Sequence, residues 1–338
     1  MAPKVSILIP AFNAQDWIAQ SLGSALAQTW SNKEIIVVDD GSVDSTLAIA
    51  RKCASTNVRV LTQERAGGQA ARNRAFAECQ GDYVQWLDAD DLLDPGKITL
   101  QMRQQDRCSS PRTLLCSEWA RFVYLPRRAR FTPTEMWRDA TAVEFLMLKL
   151  GRNLFMQTAT WLVSRELTEL TGPWDTTLSV DQDGEYFARM LLHSDGVRFV
   201  PGARVFYRKS GAGSVSDLGR SKQKQDDLVR SLNLQVSYLL ALENSGPTRA
   251  ACAAFLQNEV ESFYYDRPDL VDEICRLMVS LGGELRAPRM SWTHSSLARA
   301  FGPERARDVR LAATRVKWLF TKFIEKLLMR VEAVLRST

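Results

Sequence analysis

The chain has 338 residues, of which 45% are hydrophobic and 25% charged, so one large domain with an appendage, or two domains, is expected. Its formal net charge of +5 is unevenly distributed: residues 286–338 hold 12 Lys and Arg against 4 Asp and Glu, and the preceding residues hold 32 against 35. A basic balance confined to the tail argues against a nucleic-acid-binding catalytic face and favours a separate partner for the tail.

Cysteine usage and the first residues bear on the compartment. The six cysteines form no Cys-x-x-Cys pair and there are only two histidines, which argues against a zinc site and favours free thiols in a reducing compartment. Residues 5–10 have a strand pattern without the charged region or cleavage site of a signal peptide, and no stretch has the length needed to span a bilayer. We therefore expect a cytoplasmic protein.

Strand and helix patterns alternate through the first hundred residues. Strand patterns cover residues 5–9, 34–38, 58–62 and 83–87, and helical patterns cover residues 16–28, 45–54 and 68–79. Strands separated by helices of this length predict an α/β fold with a mostly parallel sheet flanked by helices.

The second hundred residues continue with mixed patterns. Helices are predicted over residues 94–105, 141–149 and 182–193, and extended segments over residues 113–123, 158–163 and 197–207. Residues 211–216 have the composition of a flexible loop, and from Ser221 onward the pattern is helical. We place a boundary near Gly219, so that residues 1–218 form the α/β domain and residues 219–338 an all-helical region.

Asp88 and Asp90 leave the end of a predicted strand together. Carboxylates are hard ligands suited to Mg²⁺ or Mn²⁺, and the carboxyl edge of a parallel sheet is where α/β proteins bind ligands. The Asp-x-Asp spacing alone is a weak signal, because most such pairs are solvated turns.

Three more segments are predicted at the same edge: Pro10-Ala-Phe-Asn13, Asp39-Asp40-Gly41-Ser42 and Gly67-Gly68-Gln69-Ala-Ala-Arg72-Asn73. Together with Leu87-Asp-Ala-Asp-Asp91, their order resembles the family 2 glycosyltransferases, which have a GT-A fold. The resemblance covers roughly residues 3–215 and weakens after Leu100. It implies a nucleotide half over residues 1–100 and an acceptor half over residues 101–218.

The resemblance also implies roles for individual residues. Asp40 is expected to accept a hydrogen bond from the base, while Asp39 supports the loop. Asp90 is the expected metal ligand, and Asp88 is expected to contact the ribose or the metal. Arg72 contacts the nucleotide or, alternatively, forms a salt bridge to a neighbouring carboxylate. Nucleotide binding is thus assigned to Pro10, Phe12, Asn13, Asp40, Gly68, Arg72 and Asp88.

Asp91 and Asp94 have a simpler interpretation, since both precede a predicted helix and can cap it.

A general base is expected where Asp181-Gln-Asp-Gly-Glu185 opens a predicted helix. By the resemblance Asp183 is the base, with Asp181 and Glu185 as second choices and helix capping as the alternative role. Gln182 stands where the family often has Glu. A single base without a second nucleophilic carboxylate implies inversion at the anomeric carbon.

The acceptor side is less well defined. Arg208 matches a Tyr-Arg-x-His segment of the family, but Ser210 replaces the His, so Arg208, Lys209 or Ser214 could substitute for it. Trp174 is a candidate acceptor contact or lid residue together with Arg208 and Ser214, whereas Trp161 suits core packing at least as well.

The basic tail has apolar residues at three-to-four spacing, which predicts an amphipathic helix over residues 303–336. A cationic helix with aromatic residues can lie on an anionic bilayer surface, or it can pack on the protein or in a dimer.

The resulting expectation is a metal-dependent, inverting hexosyltransferase (EC 2.4) that uses Mn²⁺ or Mg²⁺. It would transfer a sugar from a nucleotide-diphosphate donor, UDP-sugar first, to a hydroxyl of a glycan or lipid-linked acceptor in polysaccharide or glycolipid synthesis. The alternatives are a nucleotide-sugar-binding module without activity and a sugar nucleotidyltransferase. Nucleic acid is not an expected partner, and the sequence is compatible with an oligomer.

Overall fold

The computed structural model describes residues 2–209, 221–288, 309, 312, 316 and 318–328. The strands are β1 (Val5–Ala11), β2 (Lys33–Asp39), β3 (Val58–Thr62), β4 (Tyr83–Trp86), β5 (Leu92–Leu93), β6 (Leu114–Phe122), β7 (Val163–Ser164) and β8 (Val197–Arg208). The helices are α1 (Ile18–Leu26), α2 (Thr46–Lys52), α3 (Gly68–Glu78), α4 (Lys97–Gln105), α5 (Ala142–Gly151), α6 (Arg165–Thr171), α7 (Gln182–His193), α8 (Lys222–Leu242), α9 (Gly246–Glu259) and α10 (Pro268–Ser280).

The main sheet has the strand order β3-β2-β1-β4-β7. Strands β1 to β4 are parallel, and the short β7 pairs with β4 in the antiparallel direction. The chain reverses its order between β1 and β4, and open α/β sheets bind ligands at such a switch point. A second sheet, β5-β8-β6, lies beyond it, with a register shift in β6 between Ser117 and Glu118.

Alternate residues of the strands enter two hydrophobic clusters, as the two-residue period of a strand requires. Ile7 and Ile9 of β1 pack with α1, whereas Leu8 packs in the cluster that contains α3. This second cluster also includes α5, α7 and residues of α8, α9 and α10. The helices after residue 221 therefore share one core with β1, β2, β4, α3, α5 and α7.

The predicted fold class is confirmed: a mostly parallel sheet flanked by helices is followed by helices. Residues 158–163 are not extended throughout, because Gln157 accepts a hydrogen bond from the Ala159 main chain at 2.6 Å and starts a 3-10 turn over Thr158–Thr160. The boundary near Gly219 falls outside the described residues and stays a prediction. Of the predicted tail helix, residues 309, 312, 316 and 318–328 are described, and they are helical.

Lys97 at the start of α4 is completely buried. Its ammonium group donates to the side-chain oxygens of Gln85 and of Gln101, the latter at 2.7 Å. Burial without a neighbouring anion lowers the pKa of Lys97 well below its usual value of 10.5.

This burial makes stability depend on pH. Between the lowered pKa and 10.5 the unfolded chain binds one proton more at Lys97 than the folded protein, so the free energy of unfolding rises with pH by up to about 1.4 kcal/mol per unit. Lys97→Met should remove this contribution. Urea unfolding of both proteins at pH 7, 8.5 and 10 measures it, and an identical pH slope would contradict it.

Candidate active site

A cleft of about 1230 Å³ opens at the carboxyl ends of β1, β2 and β4 and continues past the first turn of α7 to α5 and α9. The predicted site residues that fall in the described part of the chain all line it, and Ser214 lies outside that part. They are Pro10, Phe12, Asn13, Asp40, Gly68, Arg72, Asp88, Asp90, Trp174, Asp183 and Arg208.

Asp40 lies at one end of the cleft and is 2% exposed. Its carboxylate accepts hydrogen bonds from Gln63 Nε2 at 2.7 Å and from the main-chain N–H groups of residues 66 and 67 at 2.9 and 2.8 Å. A carboxylate has about four acceptor positions, so one remains for a donor in the cleft. Beside it, the guanidinium of Arg65 lies 4.1 Å from the ring centroid of Phe12.

The loop after β2 is held by Asp39 and Asn13. Asp39 Oδ2 accepts a hydrogen bond from the main-chain N–H of Ser42 at 3.1 Å, which is the supporting contact expected of it. Asn13 has a left-handed backbone (φ 45°), and its Oδ1 accepts from the main-chain N–H of Val43 at 3.0 Å. These contacts fix the two loops that follow β1 and β2 to each other.

Arg72 on α3 lies beside the Asp-x-Asp segment. Its Nη2 is 2.5 Å from Asp88 Oδ1, and its guanidinium lies 4.7 Å from the ring centroid of Trp174. The salt bridge considered as an alternative is therefore present, and it places the cation inside the cleft. Arg72 Nε is buried without a hydrogen-bond partner among the residues described.

The prediction that Asp91 caps the following helix is wrong. Asp91 is completely buried and accepts hydrogen bonds from the main-chain N–H of Arg208 at 2.6 Å and from Gln157 Nε2 at 2.5 Å. Burial raises the pKa of its carboxyl group. Asp94 does lie in the turn before α4, where its Oδ1 accepts a hydrogen bond from the main-chain N–H of Gly96 at 3.0 Å.

Arg208 lies behind the Asp-x-Asp segment and is 1% exposed. Its guanidinium donates to the main-chain carbonyls of Asp90 and Val123 at 2.6 and 2.7 Å and to Gln20 Oε1 at 2.8 Å. It is enclosed by two aromatic rings, each with its centroid 4.3 Å away. Arg208 thereby fixes the main chain of Asp90.

The chain offers few protein ligands for a metal. In the ranges that the structure covers, no group of three or more His, Cys, Asp or Glu is placed to hold an ion. Asp88 and Asp90 are the two carboxylates of the Asp-x-Asp segment that line the cleft.

Asp181, a second choice for the base, lies under the first turn of α7. It has a left-handed backbone (φ 51°), and its Oδ2 accepts hydrogen bonds from Ser231 Oγ at 2.7 Å and Gln235 Nε2 at 2.6 Å, both on α8. Its carboxylate fills the space above Gly184, where a Cβ atom would overlap it. Asp181 thus joins α7 to α8.

Glu185 and Asp183 differ although both lie in the first turn of α7. Glu185 forms a buried ion pair with Arg189, Oε1 to Nε at 2.7 Å, and accepts from the Tyr238 hydroxyl at 2.9 Å. The Asp183 carboxylate has no hydrogen bond to any described residue and lies at the cleft wall. Burial and the neighbouring Asp181 carboxylate raise the pKa of Asp183 to about 6.

Trp174 connects α3 to the segment before α7. It is 2% exposed, stacks on Tyr186 with ring centroids 3.8 Å apart, and exchanges two main-chain hydrogen bonds with the Asn73 side chain at 2.8 and 2.9 Å. Trp161 is also buried, in the core, stacked on Phe187. Both tryptophans, although buried, are among the residues that line the cleft.

Tyr207 is a cleft residue that the sequence did not single out. Burial and the surrounding carboxylates, among them Asp91, Asp88 and Asp183, raise its pKa, so its hydroxyl stays protonated at neutral pH. The sequence feature that could have identified Tyr207 is its position at the carboxyl end of a strand pattern, next to Arg208.

Comparison with known proteins connects this site to a family. Residues 6–110 match the family described as glycosyl transferase family 2. An uncharacterized Escherichia coli glycosyltransferase, YibD, is 42% identical over 94 residues, 27% of each chain. An E. coli chondroitin synthase is 40% identical over 100 residues, 29% of this chain and 15% of the synthase. The matched segments thus span less than a third of these two relatives.

Solved structures match over more of the chain. Residues 1–349 of Staphylococcus aureus TarS, solved in complex with UDP-GlcNAc, align with a TM-score of 0.65 and 17% identity, over 92% of this chain and 91% of that one. A longer TarS structure aligns with a TM-score of 0.64 and 18% identity, over 81% of this chain and 49% of that one. Residues 6–110 are thus similar to glycosyltransferase family 2, and the chain has the fold of the TarS structures.

The packing of Asp181 on Gly184 generates a prediction. Gly184→Ala should lower the free energy of unfolding by about 1 to 3 kcal/mol, because the added methyl group must displace the hydrogen-bonded Asp181 carboxylate. Gly246→Ala in the first turn of α9 is the matched control, since nothing lies within 4 Å of its Cβ position. Thermal unfolding measures both; equal melting temperatures would contradict the prediction.

Proposed function

We propose that the protein is an inverting glycosyltransferase that moves a hexosyl group from a nucleotide-diphosphate donor to an acceptor hydroxyl, with Asp183 as the general base. One observation carries this proposal. Of the three acidic residues at 181, 183 and 185, Asp183 alone has no hydrogen bond to a described residue, and it lies in the cleft that also contains Asp88 and Arg72.

The donor end of the proposed site is the region around Asp40. Its remaining acceptor position would take a base N–H, and a base without a donor there would leave a buried carboxylate partly unpaired. UDP-sugars are the donors we propose first, because TarS was solved with UDP-GlcNAc and has the same fold. Arg72 and the protonated hydroxyl of Tyr207 are the donors that we propose for the diphosphate.

The chemistry proposed for Asp183 is proton abstraction. Its carboxylate takes the proton of the acceptor hydroxyl while that oxygen bonds to the anomeric carbon and the bond from that carbon to the diphosphate breaks. A pKa near 6 keeps the carboxylate ionised at neutral pH and makes it a stronger base than an ordinary aspartate. Because Asp181 and Glu185 are engaged with other side chains, a single displacement with inversion is proposed.

Divalent metal dependence is part of the proposal. The residues that would hold Mn²⁺ or Mg²⁺ are Asp90 and Asp88, and two carboxylates suit such ions, which commonly complete their coordination with substrate phosphates and water. When bound, the ion would neutralise charge on the departing diphosphate. Arg208 contributes by fixing the Asp90 main chain.

Asp183→Asn should lower turnover of UDP-GlcNAc, measured as UDP release, by at least about a hundredfold while the Kd for UDP stays within about twofold. Removing a carboxylate with a raised pKa should also increase the melting temperature. Glu185→Gln is the matched control two residues later: it breaks a buried ion pair, so it should lower the melting temperature and leave the turnover of folded protein similar.

The same assays on the variant and on the wild type separate the candidate functions. Unchanged UDP release in Asp183→Asn would refute the base assignment. A wild-type protein that binds UDP but releases no UDP from UDP-GlcNAc would favour a binding module. A wild-type preference for a nucleoside triphosphate with a sugar phosphate would favour a nucleotidyltransferase.

The pH dependence of kcat/KM should show an acid limb with an apparent pKa of about 6, falling tenfold per pH unit below it, because protonated Asp183 cannot accept the hydroxyl proton. UDP release between pH 5 and 8.5 measures the limb, and UDP affinity over the same range serves as the control. Activity that stays constant down to pH 5 would contradict the assignment.

A further inference from the structure

The described residues of the tail helix, 318–328 with 309, 312 and 316 before them, expose several large apolar side chains. Phe320 and Phe323 are 64% and 67% exposed. Exposed apolar side chains at this density are unusual for a soluble surface and mark an interaction site. The full set in the described tail is Val309, Val316, Leu319, Phe320, Phe323, Ile324, Leu327 and Leu328.

The opposite side of this helix is attached to the α/β domain. Trp318 is 9% exposed, and the ammonium of Lys209 lies 5.2 Å from its ring centroid. About two helical turns after Trp318, Glu325 Oε2 accepts a hydrogen bond from the main-chain N–H of Tyr124 at 2.9 Å. At 100° per residue, Phe323 and Leu327 lie about 140° to 180° around the axis from Trp318. The apolar face therefore points away from the protein.

Basic side chains accompany this face. Lys322 and Lys326 lie on one flank of the helix, between the docked side and the apolar side. Arg128 and Arg130 are exposed on the segment that follows Tyr124, next to the docked side. An apolar arc with cations at its border complements a surface that is apolar inside and anionic at its head groups.

We propose that this face of the tail helix binds the surface of an anionic bilayer, with Phe320, Phe323 and Leu327 inserted among the lipids. No helix in the described ranges is long and apolar enough to cross a membrane. A helix that lies in the interface needs only one apolar face and flanking lysines, as found here.

The attachment points also place the membrane relative to the cleft. Lys209 follows Arg208, whose guanidinium donates to the Asp90 carbonyl at 2.6 Å, and Tyr124 follows Val123, which accepts from the same guanidinium. The bilayer would thus lie beside the wall of the cleft that carries Asp90. Combined with the proposed function, on which this step rests, a lipid-linked acceptor would enter the cleft from the membrane side.

The test is co-sedimentation of the full chain with vesicles of phosphatidylcholine alone or with phosphatidylglycerol. The wild-type protein should bind the anionic vesicles at least tenfold more tightly than the neutral ones. Phe320→Ser with Phe323→Ser should weaken binding at least tenfold. Leu170→Ser with Val279→Ser is the matched control, because these side chains are 48% and 72% exposed elsewhere, and it should bind like the wild type.

Two results would overturn the proposal: no binding of the wild type to anionic vesicles, or equal binding of the Phe320 and Phe323 variant. A dimer in sedimentation equilibrium that this variant dissociates, without vesicle binding, would assign the face to a second copy of the chain. The thermal shift produced by UDP should be the same in all these variants, so failure of the membrane proposal is distinguishable from failure of the proposed transferase.

Discussion

Helix α8 fixes the turn that carries Asp183 through the hydrogen bonds that Ser231 and Gln235 donate to the Asp181 carboxylate. The left-handed backbone of Asp181 costs roughly 1–3 kcal/mol for a residue other than glycine and persists only where the surroundings enforce it. With that backbone fixed, α7 starts at the cleft wall and Asp183 lines the cleft. The helices after residue 221 are therefore part of the site, although they lie outside the segment that matches the family.

The part of the site that residues 10–90 form was predictable because local sequence determines it. Parallel strands bring their carboxyl ends to one edge, so the segments after β1, β2 and β4 meet without knowledge of any distant contact. The same reasoning places Arg72 near Asp88, since α3 starts at that edge. The order of these segments over some ninety residues also predicted the family, and the match of residues 6–110 to the family confirms this resemblance.

Long-range pairing explains what the sequence did not reveal. Asp91 resembles a helix cap because it precedes a predicted helix, but its partners, Arg208 and Gln157, are far along the chain and remove it from solvent. Likewise, nothing local distinguishes Asp183 from Asp181 and Glu185. Asp181 and Glu185 accept hydrogen bonds from side chains on α8, about 50 residues away, whereas Asp183 does not.

The dependence of the Asp181 turn on α8 has a consequence for the time course of synthesis. Asp40, Arg72 and Asp88 lie in the first ninety residues, whereas the turn before Asp183 needs donors at residues 231 and 235. Domains generally fold as units, and β1, α3 and the helices after residue 221 share one hydrophobic cluster. A nascent chain is therefore expected to complete the cleft only after the helical region has been synthesised.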